Sequence, residues 1–545
     1  MKSLTMRKAI ATLGAATLAL TLSVAITPSA TAAAPTCATA AGVETCTGTL
    51  ANGAGYTFKV PSNFAGTMFF WEHGFRPTYP GVSAVPTGIE EMTPASATTK
   101  TDVTKEMLRA GYGIAAYDGT VKGMRGWNNT FRIEMLKEVI DTAMAKYTTR
   151  IQKKVVYGSS QAGAIITPFV EKYPTYADSV GIMAGLTPSP ADALQSACDI
   201  FYLLSIFADP TIKGCAAMGV KGVPGHMASV GELLKVVALL TTWSKNLGAP
   251  GLEYPAPLKG SPIPQRSALL LTGLLTGVPT KSAHMDGIST NAVIAEHSIN
   301  ATVAILENMG EAIATGTLAG QSISELTGPG FYDNTKTDWA ALLDEGDAGR
   351  YNLGLSGDEA ITAMMGVLAA APRVTGNADA IAKFKALDKS NFTSTLPTIT
   401  LSNEADRLVL PGNTPLYVNK ARAVYESSLA AWQKKYAAAT TSSEVSALLK
   451  SKPVWNTVAM YALTPEIYTK FTATGAPDLT APMATSGVGH ESFTKEQLMT
   501  WVRVLASSAK TGRVPSQTVL TSYLSKVPYL NTDPDYQPEE LKYQD

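Results

Sequence analysis

Apolar and polar side chains alternate over residues 56–60 and stop at Pro61, and the run 67–72 follows in the same manner, so both segments read as strands. Residues 104–110 have helical texture and 113–117 form a short apolar run ahead of Asp118. Residues 131–147 place Phe131, Met135, Val139 and Ala143 at helical spacing on one face. A buried strand over 154–157 then runs into Gly158-Ser159-Ser160-Gln161-Ala162-Gly163 and a helix, and 179–184 reads as a further strand. Such alternation predicts an α/β fold with a mostly parallel sheet flanked by helices.

From about Leu186 the texture changes. Helical segments at 231–243, 292–313 and 358–371, punctuated by Gly and Pro, follow one another without a strand pattern, which predicts a large inserted helical domain over 187–395. The strand pattern resumes at 396–401, passes a second helical stretch at 414–438, and closes near Ala484 with an amphipathic helix over 495–508. The core is therefore expected in two parts, 33–186 and 396–545, with a loose polar tail from Pro534.

The N-terminus alters the expected compartment. Lys2, Arg7 and Lys8 precede an apolar run over 9–26, and Ser29-Ala30-Thr31-Ala32 supplies small residues for cleavage, the pattern of a secretory signal peptide over 1–32. A secreted, extracellular protein follows. The whole chain has 545 residues, 45% hydrophobic and 16% charged, with 44 basic against 44 acidic side chains; losing Lys2, Arg7 and Lys8 leaves 41 against 44. This balance argues against a nucleic-acid partner. The longest later apolar run, 267–278, falls short of the roughly 18 to 20 residues a bilayer needs, so no transmembrane segment is expected after cleavage. Four cysteines sit as two close pairs, Cys37 with Cys46 and Cys198 with Cys215. In an oxidising compartment, two local disulfides are the simplest of the three possible connectivities; metal binding is the rival, yet C-x-x-C spacing and a neighbouring histidine are both missing.

The sharpest local signal surrounds Ser160. A strand entering a Gly-rich turn and then a helix can push the turn's central side chain out at the sheet edge, and small neighbours are needed for such a bend. Gly158 and Ala162 flank Ser160 in a G-x-S-x-A pattern, one step from G-x-S-x-G, and Gly163 adds room. Only five histidines exist, His73, His226, His284, His297 and His490. His490 is the best-placed general base, since Ser486-Gly487-Val488-Gly489-His490-Glu491 permits a tight loop and Thr494-x-x-Gln497 offers a capping box for the helix beyond. Asp406 follows the strand at 396–401, with Glu404 as its near rival.

With these motifs the chain resembles the α/β-hydrolase superfamily over 56–185 and 396–508. Phe69-Phe70-Trp71-Glu72-His73-Gly74-Phe75 is similar to the strand and H-G turn preceding that superfamily's oxyanion hole, and the chain order Ser160, Asp406, His490 is its order of nucleophile, acid and base. The resemblance implies Ser160 as nucleophile, the backbone N–H groups of Phe75 and Gln161 as oxyanion donors, and 187–395 as a cap that selects substrate. It implies a secreted serine hydrolase of esterase or lipase type, acting through an acyl-enzyme on a small-molecule, lipid or polymeric ester with an apolar part. An exopeptidase or acyltransferase on the same triad, or a catalytically silent binding protein of this fold, are the alternatives. No metal or organic cofactor is expected. Leu269-Leu270-Leu271 with Leu274-Leu275, and Met364-Met365 with Val367-Leu368, could form the cap's own core or an apolar pocket wall.

Overall fold

The sheet's central strands are buried on both faces, while those at its N-terminal edge are largely exposed. Its nine members are β1 (Thr36–Ala40), β2 (Val43–Thr49), β3 (Gly55–Pro61), β4 (Thr67–Glu72), β5 (Gly113–Tyr117), β6 (Lys153–Ser159), β7 (Ser179–Met183), β8 (Thr398–Asn403) and β9 (Thr457–Ala462). They lie in the order β1-β2-β3-β5-β4-β6-β7-β8-β9. The first four positions pair antiparallel, and everything from β5 to β9 pairs parallel. This is the mostly parallel, helix-flanked sheet expected. The computed structural model describes residues 34–78, 89, 91–96, 101–121, 126–245, 263–286, 294–465, 480, 484, 486–531, 533 and 536–538. The expected signal peptide and most of the tail lie outside these residues.

Alternation along β4 divides the core. Met68 and Phe70 face helices α2 (Asn129–Tyr147) and α3 (Gly163–Lys172), meeting Leu136, Val139, Ile140, Ile166 and Phe169. Phe69 and Trp71 face the other side. With Tyr157 and Leu401 they meet Met107 of α1 (Thr104–Arg109), and Trp501 and Leu505 of a long helix, Lys495–Thr511, near the C-terminus.

Three expectations are corrected. On α2, Phe131 is exposed: the buried stripe runs through Arg132, Met135, Leu136, Val139, Ile140 and Ala143, because strict i+4 spacing drifts off a face that 3.6 residues per turn maintains. Strand character near Ala484 is absent among the described residues; Ala484 donates its N–H to the Ala283 carbonyl at 2.9 Å, and the last strand is β9. The apolar runs also extend further than expected, since Gly222–Ser244 is apolar and long enough, by length and composition, to cross a membrane.

Between the adjacent strands β7 and β8 the chain makes its helical excursion, with α4 (Pro190–Phe207), α5 (Gly222–Lys245), α6 (Gln265–Thr276), α7 (Ile294–Ala314), α8 (Gly320–Thr327), α9 (Asp358–Ala370) and α10 (Ala378–Ala386). A π-helical turn, Thr315–Ala319, joins α7 to α8. Leu269, Leu270, Leu271, Leu274 and Leu275 are all buried in this layer, as are Met364 and Leu368, so they form its core. Cys198 of α4 is bonded to Cys215, and Cys37 to Cys46 across the paired strands β1 and β2. After β8 come α11 (Asn413–Ala438) and α12 (Ser442–Lys450); β9 precedes α13 (Lys495–Thr511) and α14 (Gln517–Leu524).

Candidate active site

Ser160 opens a 3₁₀ turn, Ser160–Ala162, between β6 and α3, and its backbone φ is +56°. A non-glycine residue enters this left-handed region at a cost, so the turn is held by its surroundings. A Cβ at Gly158 would lie 2.3 Å from the Glu72 carbonyl oxygen, and one at Gly163 would lie 2.2 Å from that of Leu186. Glycine is thus required at 158 and 163, while the Ala162 methyl fits, which accounts for the departure from G-x-S-x-G. Ser160 is only 4% exposed, less open than an elbow at a bare sheet edge. Its carbonyl accepts the Leu186 N–H at 2.9 Å, and a Cβ on Gly74 would lie 3.1 Å from Ser160 Cβ.

The turn after β4 is held by groups the sequence did not single out. Glu72 and Arg132 form an ion pair buried on both sides, and the Tyr117 hydroxyl donates to the same carboxylate. Burial pushes the Glu72 carboxyl up, against the opposing pull of Arg132 and Tyr117. Arg132 also donates to the His73 carbonyl and, through Nη1, to Gln161 Oε1 at 2.9 Å. His73 Nε2 accepts the Gly119 N–H at 3.0 Å, which leaves Nδ1 to donate to the Gly74 carbonyl at 2.7 Å. The ring is therefore a neutral structural tautomer rather than a base. Gln161 Nε2 donates to Asn129 Oδ1 at 2.6 Å. With its side chain held this way, Gln161 presents its backbone N–H in the first turn of the 3₁₀ segment, where helical N–H groups lack an intrahelical acceptor.

Asp406 and His490 come together beyond the ends of β8 and β9. His490 Nδ1 lies 2.9 Å from Asp406 Oδ2 and 3.2 Å from Oδ1, while Oδ1 accepts the Leu408 and Val409 N–H groups at 2.9 and 3.0 Å. The rival Glu404 is engaged elsewhere, with Lys281 at 3.0 Å and the Thr464 N–H at 2.7 Å. Backbone bonds join the two loops: Ala405 N–H to Gly487 O at 2.8 Å, Gly489 N–H to Ala405 O at 3.0 Å, and Asn403 Nδ2 to Gly489 O at 2.7 Å. The capping box at Thr494 forms, and Gln497 Nε2 also donates to Ser486 Oγ at 2.7 Å, tying the His490 loop to α13.

Glu491 is a further group that the sequence left unread. It has φ +59°, and its Oε1 lies 3.4 Å from His490 Nε2. Burial alone would lower the imidazole's pKa, but the charges of Asp406, Glu491 and Glu311 and the hydrogen bond to Asp406 outweigh it, and the ring is pushed up to about 9. Glu491 acts electrostatically on Glu91, Glu91 pairs with Arg76 at 2.9 Å, and Arg76 Nη1 lies 3.2 Å from the vacant Cβ point of Gly74 that Ser160 also approaches.

The remaining candidates lie apart from this pair. His284 pairs with Glu307 at 2.9 Å, His226 is on α5, and His297 falls in the first turn of α7. The Phe75 ring packs on Trp127, with centroids 6.0 Å apart. A narrow, mostly apolar cleft is lined by Leu186, Ile200, Ala312, Leu408 and Leu410 with Thr315 and Asn413; Leu186 donates its N–H to the Ser160 carbonyl, and Leu408 its N–H to Asp406.

No family model matches the chain, and no curated protein does. Among solved structures it is similar to feruloyl esterase B from Aspergillus oryzae (11% identity, TM-score 0.33, 87% of this chain and 82% of that one). It is also similar to tannin acyl hydrolase from Aspergillus niger (12%, TM-score 0.29, 89% and 82%) and to the rice cell wall degrading esterase LipA from Xanthomonas oryzae (12%, TM-score 0.26, 70% and 80%). TM-scores this low leave the strand order as the ground for the fold class.

Proposed function

We propose that the chain is a secreted serine hydrolase that cleaves carboxylic esters with an apolar part. Two observations support this reading: a serine held at φ +56° in a strand-to-helix turn, and an aspartate 2.9 Å from a histidine on the loops beyond β8 and β9. The hydroxyl of Ser160 is a weak nucleophile at neutral pH. His490 Nε2 accepts its proton as the oxygen attacks the ester carbonyl, and Asp406 at Nδ1 holds the tautomer and stabilises the imidazolium. The N–H groups of Phe75 and Gln161 stabilise the tetrahedral oxyanion, the alcohol leaves with the proton from His490, and water then hydrolyses the acyl-enzyme by the same steps. The insertion over 187–395 serves as a cap. The two disulfides agree with an extracellular setting.

A fluorophosphonate probe should label wild-type protein at Ser160 and leave Ser160→Ala unlabelled. Against p-nitrophenyl esters, that variant should lose activity by a factor on the order of 10⁴ or more, with its melting temperature unchanged. Labelling at another residue, or turnover retained by Ser160→Ala, overturns the assignment. Aminoacyl-p-nitroanilides hydrolysed in preference to esters would instead favour an exopeptidase on the same groups.

A further inference from the structure

Asp388 lies in the turn after α10, far along the chain from the elbow, yet it reaches the groups that flank both oxyanion donors. Its Oδ2 accepts hydrogen bonds from Trp127 Nε1 at 2.6 Å and Asn129 Nδ2 at 2.7 Å. Trp127 packs on Phe75 and is held from the helical layer a second time, its backbone N–H donating to Ser322 Oγ at 2.7 Å. Asn129 is buried and accepts the Gln161 amide through Oδ1 at 2.6 Å. One carboxylate from the insertion therefore stands a single side chain away from Phe75 and from Gln161.

We propose that Asp388 is a positioning residue for the oxyanion hole, orienting Phe75 through Trp127 and Gln161 through Asn129. This rests on the hydrolase assignment above. Two features mark the position as held against local preference. Asp388 is a non-glycine residue at φ +54°, a conformation that persists only where the surroundings impose it. Burial also pushes its carboxyl up to about 6, although the Trp127 and Asn129 donors pull the other way. Both donors reach the same oxygen, Oδ2, and a neutral acceptor in its place would bond them less strongly. A carboxylate accepts from both donors at once and fixes their geometry more tightly, and small displacements of a catalytic donor are costly in rate.

The test compares wild type with Asp388→Asn, Trp127→Phe and Asn129→Ala on p-nitrophenyl acetate, and measures inhibition by a trifluoromethyl ketone, whose adduct with Ser160 carries the oxyanion. For Asp388→Asn the expected result is kcat down by about 10-fold or more, KM within about 2-fold, and the inhibition constant up in proportion to the loss of kcat. The melting temperature should be held. Combining Asp388→Asn with Trp127→Phe and Asn129→Ala should cost less than the product of the separate losses, since they act through one path. Unchanged kcat in Asp388→Asn, or losses that multiply, overturns the proposal. If Asp388→Asn does not fold, Trp127→Phe and Asn129→Ala decide by the same kcat, KM and inhibitor readouts. A wild type that the fluorophosphonate fails to label at Ser160 would sink the hydrolase assignment, a result distinct from a labelled wild type with indifferent variants.

Discussion

At the scale of single residues, His490 combines two facts that set how the site responds to pH. A general base must be neutral, and the carboxylates around this imidazole push it up to about 9, so at neutral pH it is largely protonated. Activity should therefore rise with pH and level off only above about 9. In Glu491→Gln one of those charges disappears, and the inflection in kcat/KM should move down by on the order of one pH unit. An inflection that stays in place would mean that Glu491 does not act on the ring. Stability runs in the opposite sense. The imidazole's pKa is raised above its ordinary 6.5, so its contribution is complete below about 6.5 and lost as pH climbs through about 9. The pH giving fastest turnover should thus lie above the pH giving the highest melting temperature.

At the scale of elements, Asp406 and His490 stand on separate loops, and their meeting depends on the backbone bonds that join those loops. Asn403, the last residue of β8, donates to the Gly489 carbonyl directly before His490. Asn403→Ala should loosen that join and lower kcat by about 10-fold, while fluorophosphonate still labels Ser160 at a reduced rate. Unchanged kcat would show that the Ala405–Gly487 and Gly489–Ala405 bonds suffice alone. The same loops show how far the sequence could be read. The strand-to-helix turn at Ser160 and the tight loop at His490 were legible because each sits in a short pattern of small or capping residues whose constraints are local. That Asp406 and not Glu404 faces the imidazole depends on Lys281 and Thr464, which no local pattern announces. Strand β9 escapes the pattern because Thr-Val-Ala-Met-Tyr-Ala does not alternate, and β1 with β2 because Thr-Cys-Ala-Thr-Ala and Val-Glu-Thr-Cys-Thr-Gly-Thr hold almost no large apolar side chains. Glu72, Arg132 and Asp388 were equally hidden: a buried charge cannot be told from a solvated one until its partner, here 60 residues away for Arg132 and 259 or more for Asp388, is folded against it.

Over the whole molecule, the helical insertion and the sheet meet beside the Ser160 turn, where the insertion's buried cluster reaches Leu186 and Leu408. Leu274 and Met364 lie inside that cluster, so each substitution to Ala should lower stability by about 2 to 5 kcal/mol through lost burial and a residual cavity, leaving acyl preference unchanged. Ile200 belongs to the same buried cluster, but with Leu410 it also lines the narrow cleft between Leu186 and Leu408, one near the Ser160 turn and the other near Asp406. If the acyl group of the proposed ester enters this cleft, its narrowness favours a short one. Ile200→Ala and Leu410→Ala should widen it and raise kcat/KM for hexanoate and octanoate esters relative to acetate, by about 10-fold where an added methylene or two is accommodated. The control lies in the comparison: if Leu274→Ala shifts chain-length preference as much as Ile200→Ala, substrate is selected by the insertion's general packing and not by this cleft. If neither does, while both lower the melting temperature, the cleft is a packing fault between two layers and the acyl group lies elsewhere.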